Sequence, residues 1–122
     1  MGSPSDPVLH EATIKQLETE ASYIEENGVR LQKLTGLAEF RDIIKRIKNE
    51  TLAQINDEVT KNRFEGFMEE ADDIIFELQT MLTNGKLFGY GRRRRALANA
   101  LKSAAGVLKV IVAIILSYHD SV

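Results

Sequence analysis

The chain contains no cysteine, which excludes disulfides, thiolate catalysis and sulfur-based zinc sites, and permits a reducing cytosol. It has only two histidines, His10 and His119, one near each end, so nucleophile–base chemistry lacks an evident centre. Proline occurs only twice. Only Val110 to Ile115 reads as a β-branched run, and a lone strand has nothing to pair with, so helix is expected there too. No apolar run follows the N-terminal charges, so no secretory signal is expected, and residues 1 to 6 read as a disordered leader or cloning remnant.

What remains is a composition of 43% apolar and 28% charged residues in 122, that of one folded globular domain spanning residues 1–122. The net charge of -2 conceals a division. Residues 1–85 hold 9 Lys and Arg against 17 Asp and Glu, a balance of -8, whereas residues 86–122 hold 7 against 1, a balance of +6. Such asymmetry implies either a basic tail packed on an acidic body or a basic surface facing an anionic partner.

Apolar residues recur at helical spacing along most of the chain. Asp6-Pro7 starts a helix over residues 7–27, with Ile14, Leu17, Ala21 and Ile24 on one face and Asn27-Gly28 ending it. Val29 to Gly36 reads as a short helical turn. Phe40, Ile44, Ile47, Thr51, Ile55 and Val59 place a second helix over 37–61. Asn62 with Glu65 resembles a capping box, opening a third helix over 63–83 that stops at Asn84-Gly85. No proline separates the second and third helices, so one continuous helix in a dimeric bundle is the alternative. A fourth helix, 92–118, follows a glycine-rich loop. Four amphipathic helices with short connections predict an all-α, antiparallel four-helix bundle in which helix one neighbours helices two and four.

Glu65, Glu69, Asp73 and Glu77 share a face, yet no Glu-x-x-His pair accompanies them, so no metal or other cofactor is expected. A solvated face, or a partner for basic neighbours, is the simpler account. In a hairpin register Lys102 falls near Asp73 and Lys109 near Glu65, and Glu77 reaches only Arg95. If the chain ends meet, His10, Glu11, His119 and Asp120 would offer imidazole and carboxylate ligands, but exposed histidines on fraying ends are expected. Gly85-Lys86 lacks the preceding strand and the following Ser or Thr of a phosphate loop, so no nucleotide or other small-molecule substrate is inferred.

Arg92, Arg93, Arg94 and Arg95 are the sharpest anomaly. Four cations at a helix N-terminus oppose the macrodipole, at up to about 0.3 to 1 kcal/mol each when exposed. Glu25 and Glu26 could satisfy some of them across the bundle. Phe88 and Tyr90 precede them, and aromatics beside arginine suit a protein hot spot or base stacking, although Phe88 as a plug for the bundle end is the competing expectation. The acidic body disfavours nucleic acid.

The fourth helix is long enough to span a bilayer, but Asn99, Lys102 and Lys109 interrupt it, leaving Leu97, Leu101, Ala105, Leu108, Val112 and Ile115 opposite the lysines as a core face. These features predict a non-enzymatic, cytoplasmic interaction domain, an adaptor or assembly module. Its Arg92 to Arg95, Phe88 and Tyr90 contact a protein with an acidic surface, or a second copy. The alternative is a membrane-peripheral bundle whose arginines meet anionic lipid while its last helix inserts.

Overall fold

The computed structural model describes residues 7–26 and 29–120, apart from the side chains of Pro7, Val29, Arg30, His119 and Asp120. The protein is an all-α, antiparallel four-helix bundle of α1 (Pro7–Glu26), α2 (Leu34–Leu52), α3 (Glu58–Asn84) and α4 (Tyr90–Asp120), with a short 3-10 helix at Val29–Gln32. Asn27 and Gly28, expected to end the first helix, lie outside the described residues.

The apolar stripes become the core. Leu17, Ile24, Phe40, Ile44, Phe64, Met68, Ile75 and Leu101 are all buried, each such large side chain contributing about 1.5 to 3 kcal/mol relative to exposure. α4 is the central element, packed against both α1 and α3, while α2 packs on α3 and on the 3-10 helix. Of the two neighbours expected for α1, α4 is its principal one, whereas α1 meets α2 only lightly. Ion pairs of Lys102 with Glu25 at 2.5 Å and of Lys109 with Glu18 at 2.7 Å run along the antiparallel α1–α4 seam.

Those pairs overturn the expected partners Asp73 and Glu65. The hairpin does join α3 and α4, but its buried seam is apolar, and the lysines emerge on the other flank of α4.

The second and third helices are separate, so the continuous-helix alternative falls. The expected boundary at 61–63 is also corrected. α2 ends at Leu52, where backbone bonds tighten to i→i+3, as in Gln54 N–H to Thr51 O at 2.9 Å. Ile55 then turns into the core, keeping the apolar period alive after the helix has stopped. α3 is capped not by Asn62 but by Asp57, whose carboxylate accepts the Thr60 backbone N–H at 2.9 Å and the Thr60 hydroxyl at 2.5 Å. Val59, assigned to the second stripe, is 68% exposed at the start of α3. α2 starts at Leu34 rather than 37, and α4 at Tyr90 rather than 92.

Candidate functional site

Two glycines shape the α3–α4 turn. Gly85 takes a left-handed φ of 66°, and Lys86 N–H reaches back to Met81 O at 3.1 Å, so α3 stops abruptly. Leu87 to Tyr90 forms a second turn, closed by Tyr90 N–H to Leu87 O at 3.0 Å, with Gly89 at φ 82°. Phe88 occupies the corner of that turn and projects into solvent, 95% exposed. The alternative in which it plugs the bundle end is thereby overturned.

Tyr90 has a different task. It is half-buried, and its hydroxyl donates to the Leu31 carbonyl, tying the 3-10 helix to the first turn of α4. Burial raises its phenol pKa, and neighbouring Arg94 opposes that rise.

The four arginines do not act alike. Arg94 is half-buried, and its Nε is buried without a hydrogen-bond partner among the described residues. Arg92, Arg93 and Arg95 are exposed. Arg93 pairs with Glu77 at 3.0 Å, replacing the expected Arg95–Glu77 contact. Glu25 is engaged by Lys102, so it does not supply the counter-charge considered for the arginines. Among the described residues no carboxylate lies within ion-pair distance of Arg92 or Arg95.

Arg92 and Arg93 form one wall of a cleft of about 540 Å³, facing Phe76, Thr80, Met81 and Phe88. Phe76 is itself 58% exposed, and the Arg41 guanidinium lies 5.9 Å from its ring centre. The cleft thus joins two uncovered aromatic rings to exposed guanidinium groups, a surface that can seat an apolar side chain and bind carboxylates around it.

Sequence reasoning missed Phe76 and Arg41. Arg41 holds Asp72 through two parallel bonds, 2.7 Å from Nε and 3.0 Å from Nη2, clamping α2 to α3. The arginine hydrogen bond keeps the Asp72 carboxyl below its usual pKa, against the opposing effect of burial. Asp72 is therefore a structural member of a stretch taken to be a solvated acidic face. The exposure of Phe76 was signalled only by its position, two residues past the buried Ile74.

At the opposite end of the bundle His10 is 1% exposed, not fraying in solvent, and lines a cavity of about 380 Å³ with Ile55, Asp57, Thr60 and Ile111. The expected gathering of His10 and Glu11 with His119 and Asp120 involves side chains outside those described. Among the described residues no group of three or more His, Asp or Glu is placed to hold a metal ion. α4 from Tyr90 to Tyr118 is long and apolar enough to cross a membrane, with a mean hydropathy of 1.9, and 39% of that window is buried inside the bundle. No family model matches the chain, and comparison with curated proteins and with solved structures gives no match.

Proposed function

We propose that the protein is a non-enzymatic, cytoplasmic helical interaction domain that engages an acidic protein surface through the α3–α4 end. The observation that carries this reading is Phe88, 95% exposed at a turn with no internal packing role and set beside exposed Arg92 and Arg93. An aromatic ring left in water is an unfavourable arrangement for an isolated bundle and a favourable one for a hot spot ringed by cations. Tyr90 supports this surface from behind rather than facing the partner.

The test is fluorescence anisotropy with a labelled peptide of alternating Asp and Glu around one Leu. Arg92→Glu, Arg93→Glu and Arg95→Glu together should abolish binding with circular dichroism unchanged. Loss of helicity in that variant would make the cluster structural and defeat the proposal.

A second reading is favoured by a separate observation. Val110, Ile114, Leu116 and Tyr118 are 53%, 63%, 44% and 70% exposed near the C-terminal end of α4, an apolar surface that lipid would cover. Sedimentation with anionic liposomes tests it, and failure to sediment at low salt removes it.

A further inference from the structure

The cleft does not end at its own rim. On α3 the residues Glu69, Asp73, Phe76 and Thr80, spaced by four, three and four, form one exposed row leading to Phe88 and Arg92. This single face is acidic at one end, aromatic in the middle and basic at the other.

The levels along the bundle are fixed by the Arg93–Glu77 pair. Arg93 stands level with Glu77, four residues or about 6 Å beyond Asp73, and Phe76 lies between them. A face with charges of opposite sign on either side of an apolar centre is complementary to itself when turned by a two-fold rotation.

We infer that a second copy of this chain docks antiparallel on this face, Arg92 and Arg93 of each protomer meeting Glu69 and Asp73 of its partner around the paired aromatic rings. This rests on the arginine surface proposed above and names its occupant. The occupant follows from charge complementarity: the cleft needs carboxylates flanking an apolar group, and the adjoining row of the same molecule presents them. The dimer is weak and salt-labile, because its charged pairs remain at a solvated rim.

Analytical ultracentrifugation at low salt should show a reversible dimer that weakens at least tenfold between about 0.05 and about 0.5 M salt. Variant one, Arg92→Glu with Arg93→Glu, and variant two, Glu69→Arg with Asp73→Arg, should each be monomeric, since like charges then meet. Mixed, they should form a one-to-one dimer, because both contact pairs are restored with reversed sign at one of them. Phe88→Asp, at a residue too exposed to support the fold, should weaken the wild-type dimer at least tenfold.

Wild-type protein that stays monomeric at about 1 mM and low salt overturns the inference. So does a mixture of two folded variants that fails to pair, or a Phe88→Asp dimer as tight as wild type. The labelled acidic peptide separates the two ideas. A monomer that still binds it through Arg92 and Arg93 defeats only the self-association, whereas a monomer that ignores it defeats the arginine surface as well.

Discussion

Replacing Tyr90 with Phe removes one oxygen and asks whether this residue belongs to the fold or to a partner. The hydroxyl donates to the carbonyl of Leu31, a residue with 0% exposure. Its loss leaves a buried carbonyl without that donor, which costs about 1 to 3 kcal/mol. For 122 residues at about 2.1 cal/mol/K each, the unfolding entropy is about 0.26 kcal/mol/K, so each kcal/mol lowers Tm by about 4 °C. Calorimetry of Tyr90→Phe should show a fall of that size, with acidic-peptide binding unchanged. The pH dependence has a sign as well. The folded pKa of Tyr90 is raised by burial, so its contribution is intact below the ordinary tyrosine value of about 10 and is lost as pH climbs through the folded one. Tyr90→Phe should lack that alkaline loss. An unchanged Tm together with lost peptide binding would refute the structural assignment and return Tyr90 to the partner surface.

Asp57→Ala should lower Tm by uncapping α3, whereas Asn62→Ala, inside that helix, should have the smaller effect. Leu101→Ala, at a fully buried position of α4, should cost about 2 to 5 kcal/mol in urea titration. The Asp57 and Asp72 carboxyls are both held below their usual pKa, by Thr60 and by Arg41 respectively. Their stabilisation is therefore complete above the ordinary carboxylate value of about 4 and disappears as pH falls through the depressed values. Asp72→Asn should be less stable than wild type at neutral pH, with the difference narrowing in acid.

The parts of this fold that could be read from the chain were those governed by periodicity alone. A buried stripe must repeat at three and four residues, so Leu17, Phe40, Phe64 and Leu101 declared themselves. The α2–α3 break did not, because Ile55 enters the core from a turn and mimics the next position of the stripe. The cue that was available is Asp57 followed three residues later by Thr60, a capping pair as good as Asn62 with Glu65. Lysine partners were illegible for a different reason. Spacing of seven puts Lys102 and Lys109 on one face of α4, but whether that face borders α1 or α3 depends on how the helix is rotated, which is decided by packing of its apolar side chains. Phe88 was legible as a turn residue and not as an exposed one, since residue spacing does not fix where a turn side chain points.

The central position of α4 also constrains what any lipid interaction can be. Leu97, Leu101, Leu108 and Val112 are the residues that would face hydrocarbon in a spanning helix, and they are the same residues that hold α1 and α3 in the bundle. Withdrawing α4 would strip α1 and α3 of the helix on which each packs most extensively, so spanning and folding are alternative states of one chain. Peripheral binding carries no such conflict. The exposed flank of α4 runs from Arg92 and Arg95 through Ser103 and Lys109 to Val110 and Ile114, basic at one end and apolar at the other. Contact through that flank leaves the core intact. Vesicle binding that preserves cooperative thermal unfolding therefore belongs to the folded bundle, and binding that abolishes it belongs to a chain whose last helix has left the other three.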